Sequence, residues 1–277
     1  MATDAGTGSN DELWRALLTG EDPYFTTGRR RYRRIPGRPR CKTCQVPLGG
    51  AGARVVRLLA GIERARKNPN FCNICEKFVE EHPGGAEIEV SLLFADVRGS
   101  TTIAEALPAA EFTRLMNRFY REANRVLVDS DAIVDKLVGD EVIGLYLPAI
   151  APDHARRAVL AARDLLRATA HAGEGERTVA VGAGVHTGTA WVGAVGSRET
   201  VADFTALGDA VNVTARLAAA AGPHEVLVSD EAYAASALDL GPLERRQLEL
   251  RGRAARVGVR VLHAGAGEGR TPRGAGT

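Results

Sequence analysis

The sequence has no run of 18 apolar residues, and its first residues lack the basic segment and apolar stretch of a secretory signal. We therefore expect neither a membrane span nor a cleaved leader, and we expect a cytoplasmic protein. Lysine is scarce, with four lysines against 32 arginines. The 277 residues are 45% apolar and 25% charged, a composition that excludes fibrous and wholly disordered proteins.

Positive charge is concentrated in one short segment near the N-terminus. Residues 28–42 carry eight cations and no acid, whereas residues 1–27 carry five acids and one arginine. Such a block suits nucleic acid, an anionic membrane or a solvated arm. Because no aromatic platform accompanies it, the solvated arm is favoured. Residues 1–40 are accordingly predicted to form a flexible arm, acidic and then basic.

The cysteines are confined to the first third of the chain. They form two CxxC pairs: Cys41 with Cys44, and Cys72 with Cys75. Structural disulfides are rare in the cytosol, whereas two such pairs supply the four sulfurs of a tetrahedral metal site. This pattern predicts a metal-binding module over residues 41–82. Zinc is the first expectation, and an iron–sulfur cluster stays open because the gap of 27 residues exceeds the commonest zinc-ribbon spacing.

The remaining chain alternates strand and helix patterns. A half-buried strand over residues 87–95 precedes an amphipathic helix, a hairpin turning at Gly139 and Asp140, and a second helix over residues 154–170. Two glycine-punctuated strands are expected at residues 178–185 and 190–196. This order predicts an α+β, ferredoxin-like βαββαβ domain over residues 87–263. Residues 264–277 are predicted to be a disordered tail.

Two aspartates occupy positions suited to metal chemistry. Asp96 ends the first strand and Asp140 lies at the tip of the hairpin. These strands are central neighbours in a ferredoxin-like sheet, so the two carboxylates are expected to converge. Carboxylates together with substrate phosphates are what Mg²⁺ prefers as ligands. Alone, however, Asp96 is typical of a helix cap and Asp140 of a turn.

Three segments resemble motifs of the class III nucleotidyl cyclases, in the order and spacing of that family. They are residues 93–102 (LFADVRGSTT), 136–140 (KLVGD) and 204–216 (FTALGDAVNVTAR). The resemblance covers roughly residues 87 to 263 and leaves the cysteine module outside. It implies conversion of a nucleoside triphosphate to a cyclic nucleotide and pyrophosphate.

The resemblance also implies roles for individual residues. Two Mg²⁺ or Mn²⁺ ions per site would be held by Asp96 and Asp140, with the carbonyl of Val97 as a further ligand. The positions matching the substrate-binding and catalytic residues are Lys136 and Thr205 for the purine, Asn212 for the ribose, Arg216 for the α-phosphate and Arg251 for the terminal phosphates. The family further implies a homodimer with active sites at the interface.

The positively charged side chain of Lys136 favours ATP as the substrate. A cation donates to adenine N1, whereas the N1–H and 2-amino groups of guanine are donors that call for a carboxylate. Thr205 departs from the aspartate of many adenylyl members, which weakens discrimination. The sequence therefore predicts an adenylate cyclase. Its alternatives are a guanylate cyclase, and a nucleic-acid-binding regulator that carries a degenerate cyclase domain.

Overall fold

The computed structural model describes residues 7–66, 68, 70–170, 177–195, 203–250 and 255–263. The described N-terminal part contains four helices: α1 (Thr7–Thr19), α2 (Pro23–Arg33), α3 (Gly50–Ala60) and α4 (Asn73–Glu81). The predicted arm is therefore helical over much of its length. Its apolar residues Trp14, Leu17 and Leu18 are buried, with exposures of 0 to 3%. No described helix has the length and apolarity needed to cross a bilayer.

The second part begins with the predicted core. It consists of β1 (Gly85–Val97), α5 (Ser100–Ala106), α6 (Ala109–Asp129), β2 (Ile133–Val138), β3 (Glu141–Tyr146), α7 (His154–Ala170) and β4 (Val181–Val195). The strands lie in the order β2-β3-β1-β4, and each neighbouring pair is antiparallel. This is the predicted ferredoxin-like arrangement, and the hairpin turns at Gly139 and Asp140 as expected.

Further elements extend the sheet. They are β5 (Asp203–Leu207), α8 (Asp209–Ala220), β6 (Glu225–Ser229), α9 (Asp230–Ser236), β7 (Glu244–Leu248) and β8 (Val257–His263). Strand β6 lies parallel to β4, β8 and β7 follow beyond it, and β5 folds back on β4. The sequence analysis did not predict β5, α9 or β7. The predicted tail lies outside the described residues.

The prediction of two strands in residues 178–196 is wrong, because β4 is continuous from Val181 to Val195. Its glycines do not interrupt the strand. At Gly184 a side chain would collide with the backbone of α8, and at Gly188 it would press on His186 and Ala210. These glycines therefore permit the close approach of a helix to the sheet.

The two faces of the sheet are covered differently. Alternation along β1 sends Leu93 and Ala95 to one face, which α6, α7 and α9 cover with apolar side chains. We call this the helix face. Leu92 and Phe94 point to the opposite face, which is covered by α8 and by the N-terminal module. We call this the site face, because Asp96 shares its side of the strand with Phe94.

Candidate active site and cysteine centre

Asp96 and Asp140 converge at one edge of the site face. Asp96 lies opposite Glu141 of β3 in the strand register. The backbone N–H of Val97 donates to the carbonyl of Asp140 at 3.1 Å, which fastens the hairpin turn to the end of β1. The hydroxyl of Ser100 donates to the carboxylate of Asp140. Gly99 takes the cap position of α5, which begins at Ser100.

The charges at this edge are left incompletely compensated. One oxygen of Asp96, Oδ2, accepts from Arg98 at 3.0 Å, and the other, Oδ1, is buried and has no hydrogen-bond partner among the described residues. Burial raises the pKa of Asp96, Arg98 lowers it, and Asp140 raises it further. A buried carboxylate oxygen without a partner is costly, and a cation removes that cost. The donor set of two carboxylates beside a backbone carbonyl fits a hard divalent ion.

Two residues at this edge were missed by the sequence analysis. Burial and the charges of Asp96 and Asp140 raise the pKa of Glu141, which makes it a third acid of the cluster. Arg98 donates to Asp96 and also to the carbonyl of Ala218 at the end of α8. The available signal was strand alternation, which places Arg98 on the same side as Asp96, two residues earlier.

The other predicted site residues lie on three different elements. On α8, Asn212 is exposed and Arg216 is half-buried, and their spacing of four places them on one side of the helix. Thr205 is buried on β5. Lys136 belongs to β2, of which the structure describes the backbone at that position. Arg251 lies outside the described residues.

Asp96 and Thr205 of the predicted site are far apart within one chain. Asp96 is paired with Gly182 on β4, whereas Thr205 is paired with Gly193 on the same strand. Eleven residues of extended chain correspond to about 35 Å along β4. A nucleoside triphosphate does not extend over that length. One chain therefore does not bring Asp96 and Thr205 to a single substrate molecule.

Comparison with known proteins gives the family. The family model of the adenylate and guanylate cyclase catalytic domain matches residues 85–263. The chain belongs to this family. Adenylate cyclase 1 of Rhizobium meliloti is 33% identical over 135 residues, and the adenylate cyclase of Anabaena cylindrica is 28% identical over 171 residues. These matches cover 47% and 59% of this chain but only 20% and 34% of the two relatives.

Solved structures of both a guanylyl cyclase and an adenylyl cyclase have the same fold as this chain. The guanylyl cyclase Cya2 has a TM-score of 0.57 and 26% identity, and the match covers 67% of this chain and 96% of Cya2. The adenylyl cyclase CyaB from P. aeruginosa has a TM-score of 0.58 and 25% identity, with coverages of 67% and 99%. The comparisons therefore establish a nucleotidyl cyclase domain without separating adenylate from guanylate specificity.

The four cysteines of this chain lie close together, as the sequence predicted. The sulfurs of Cys41, Cys44, Cys72 and Cys75 all lie within 4.8 Å of one another, and the Sγ atoms of Cys44 and Cys72 are 3.7 Å apart. A tetrahedral zinc with Zn–S bonds of about 2.3 Å separates its sulfurs by about 3.8 Å. An iron–sulfur cluster distributes its cysteines over several irons and needs a wider spacing. The geometry therefore fits a single ion.

Much of the basic block is used to build the cysteine module. Arg29 is 8% exposed and donates to the carbonyls of Thr43, Ala149 and Leu17 at 2.6 to 3.2 Å. It thereby joins the first CxxC turn to α1 and to the segment after β3. Hydrogen bonds or burial also engage other cations of the block, namely Arg33, Arg38, Arg40 and Lys42. These cations have an intramolecular role that the sequence analysis did not foresee.

A cavity of about 700 Å³ lies beside the cysteines. Cys44, Cys72 and Cys75 contribute to its wall, together with Phe78 and Arg31. Contacts with Cys41 and Cys72 raise the pKa of the Cys44 thiol. Four thiolates at this spacing would repel one another, so a bound cation would stabilise them, and three of the four cysteines line the cavity.

Proposed function

We propose that this chain is an adenylate cyclase that converts ATP to 3′,5′-cyclic AMP and pyrophosphate. The observation that carries the proposal is the pair formed by Asp96 and Asp140 within the family's catalytic domain. In this pair, the buried Oδ1 of Asp96 has no hydrogen-bond partner among the described residues. In the reaction the ribose 3′-oxygen forms a bond to the α-phosphorus while the bond from that phosphorus to the bridging oxygen breaks. The hydroxyl proton passes to solvent, and pyrophosphate leaves.

Asp96 and Asp140 would hold two divalent ions, with the carbonyl of Val97 as an additional ligand. Such ions lower the pKa of the attacking hydroxyl and stabilise charge on the phosphates. Arg98 restrains Asp96 through its bond to Oδ2 at 3.0 Å. Ser100 restrains Asp140 from the other side of the cluster. These two contacts hold the carboxylates in place before substrate binds.

The residues of the other half-site would bind the nucleoside and the reacting phosphate. Lys136 donates to adenine N1, and the hydroxyl of Thr205 accepts from the 6-amino group. Asn212 orients the ribose, and Arg216 neutralises charge that develops at the α-phosphate. Arg251 contacts the terminal phosphates. None of these roles requires a side chain to act as a dedicated base.

We further propose a homodimer with two shared sites. Because about 35 Å of strand separates Asp96 from Thr205 in one chain, a second copy must supply the missing half. One protomer provides Asp96 and Asp140, and its partner provides the purine, ribose and phosphate contacts. A two-fold axis generates both sites at once.

For the cysteine centre we propose one Zn²⁺ per chain. The spacing of the four sulfurs supports a single tetrahedral ion. Elemental analysis of the reduced, purified protein should find about one zinc per chain. Iron with an equal amount of acid-labile sulfide would instead identify a cluster, and protein free of both metals would contradict the proposed centre.

The proposed activity is tested by product analysis. The full chain is incubated with ATP or GTP in the presence of Mg²⁺ or Mn²⁺, and the nucleotides are separated by chromatography. We expect cyclic AMP from the wild type and almost none from Asp96→Asn. Preferential formation of cyclic GMP would favour the guanylate cyclase alternative. The likeness to the guanylyl cyclase Cya2 is the observation that supports this alternative. No cyclic product from a folded dimer would favour a regulator with a degenerate domain.

A further inference from the structure

The cysteine module contacts both strands that carry the proposed purine-binding residues. The contacts come from Asn70 and Phe71, directly before Cys72. The side-chain amide of Asn70 donates to the carbonyl of Val134 on β2 at 2.9 Å. The ring of Phe71 meets the ring of Phe204 on β5 edge to face, with 5.4 Å between centroids.

These contacts lie next to Lys136 and Thr205, the residues proposed to bind the purine. Val134 precedes Lys136 by two positions, and the pairing of β2 with β3 shifts register between Val134 and Leu137. The pairing of β2 with β3 is thus irregular at Lys136. It restrains the backbone there less than at the regularly paired positions of β2. Phe204 immediately precedes Thr205. One short segment therefore touches the strands of both purine-binding residues.

The same segment is attached to the metal centre. The carbonyl of Asn70 accepts from the backbone N–H of Lys42, in the first CxxC turn, at 2.9 Å. The N–H of Cys72 approaches the sulfur of Cys41 at 3.4 Å. Phe71 is 2% exposed, so the segment cannot shift without disturbing packed side chains. A metal that joins the two CxxC pairs would fix the position of Asn70 and Phe71.

We propose that Asn70 and Phe71 are positioning residues through which metal at the cysteine centre controls purine recognition at the active site. This inference rests on the proposed cyclase function. With metal bound, the segment holds β2 and β5 in the arrangement that binds adenine. Without metal, the backbone around Lys136 loosens and ATP binds less tightly. Asp96 and Asp140 are not contacted by the segment, so the chemical step changes less than binding does.

The test compares two asparagines on either side of the second CxxC pair. Asn70→Ala removes the bond to β2. The matched control, Asn73→Ala, removes two hydrogen bonds within the module: the side-chain amide donates to the carbonyl of Gly61 at 3.0 Å, and Oδ1 accepts from the N–H of Glu63 at 3.2 Å. Asn70→Ala should retain zinc, raise the KM for ATP about 2- to 12-fold with kcat nearly unchanged, and reduce the ATP/GTP preference. Asn73→Ala should leave all three close to wild type.

A second measurement does not depend on activity. Hydrogen exchange of the backbone amides in residues 133–138 is followed in the full chain, with and without zinc removal by a chelator. Zinc removal and Asn70→Ala should each accelerate exchange there about 2- to 12-fold, whereas Asn73→Ala should not. Phe71→Leu, which keeps an apolar side chain, should accelerate exchange in β5 instead.

The possible results separate the two proposals. If the wild type makes no cyclic nucleotide yet exchange in β2 responds to zinc and to Asn70→Ala, the cyclase function fails while the physical coupling stands. If the wild type is active and Asn70→Ala matches Asn73→Ala in KM, base preference and exchange, the coupling is overturned.

Discussion

The helix face and the site face of the sheet are covered by different means. On the helix face, α6, α7 and α9 bury continuous apolar rows, in which Leu165 and Leu166 have no exposed surface. On the site face, α8 approaches over glycines, and the module is joined by Arg29, the four cysteines and a few aromatic contacts. Both faces bury a large apolar cluster, but the site face also depends on a few polar and metal-binding groups.

This difference predicts where substitutions act. Burial of apolar area stabilises the helix face at roughly 25 cal/mol per Å², whatever occupies the active site. On the site face, an unpaired carboxylate oxygen and a four-sulfur cluster are stabilised by ions. Changes to the polar and metal-binding groups of the site face should therefore alter activity and metal content more than global stability. The predictions below test that division.

The largest effect is expected from breaking the shared site. Asp96→Ala and Arg216→Ala should each lower activity at least about 100-fold as homodimers. Co-expressed chains give about half mixed dimers, in which one site carries both defects and the other none. Activity per chain should then return to roughly a quarter of wild type.

The control for this experiment lies on α7 of the helix face. Asp164→Ala and Arg167→Ala change the same residue types at a surface ion pair, whose nearest nitrogen and oxygen are 3.9 Å apart. These variants should remain active alone and in mixtures. A mixture of Asp96→Ala and Arg216→Ala that recovers nothing, despite confirmed mixed dimers, would place the whole site in one chain.

A smaller effect is expected from reversing the charge at the base contact. Lys136→Glu should lower ATP turnover far more than GTP turnover, because a buried recognition pair left unmatched costs about 1 to 3 kcal/mol. The ratio of kcat/KM values for ATP and GTP should fall about 5- to 150-fold. Thr205→Ala should shift the ratio less, in the same direction. An unchanged ratio in Lys136→Glu would show that this side chain does not contact the base.

Metal removal should separate the stability of the two faces. Cys44→Ser removes one of four ligands, so zinc content should fall and the module should loosen while the sheet stays folded. Thermal unfolding followed by circular dichroism should then change from one transition to two, the earlier one belonging to the module. Chelation of the wild type should reproduce this, and added zinc should reverse it. A single transition shifted as a whole would mean that both faces unfold together.

The sequence predicted what depends on local pattern. The helix over residues 154–170, the turn at Gly139 and Asp140, and the convergence of Asp96 with Asp140 all follow from periodicity, turn chemistry and the order of elements. Asp96 could be placed because a strand end and a hairpin tip are local features. Its neighbour Glu141 required the register between two strands, which a single sequence does not specify, whereas strand alternation could have indicated Arg98.

Other features depend on tertiary contacts. Considered alone, Gly188 suggests a break in the strand. The structure shows instead that β4 continues through it and that the glycine leaves room for α8. Strand β7 has the sequence ERRQL, which lacks apolar alternation because it lies at the edge of the sheet. Residues 28–42 suggested a solvated arm, since nothing in the sequence shows that Arg29 meets three backbone carbonyls from distant segments.

The smallest effect is expected on the helix face, at His154. Nδ1 of His154 lies 2.9 Å from the hydroxyl of Ser91, which in turn lies 2.6 Å from that of Thr187. Burial lowers the pKa of His154, although Glu89 and Asp153 oppose the shift. In the unfolded chain its pKa is about 6.5. As the pH falls below that value, the unfolded state binds a proton that the folded state resists, so the free energy of unfolding decreases.

One proton limits the slope to about 1.4 kcal/mol per pH unit, and the window ends once the folded state is protonated. The free energy of unfolding, measured with urea between pH 5 and 7.5, should fall at the acid end in the wild type. His154→Gln keeps a polar group beside Ser91 and should reduce that fall. Zinc content and the ATP/GTP ratio should not change, since the hydrogen bond of His154 is to Ser91 on the helix face. Loss of zinc in His154→Gln would show that the two faces are coupled through the sheet.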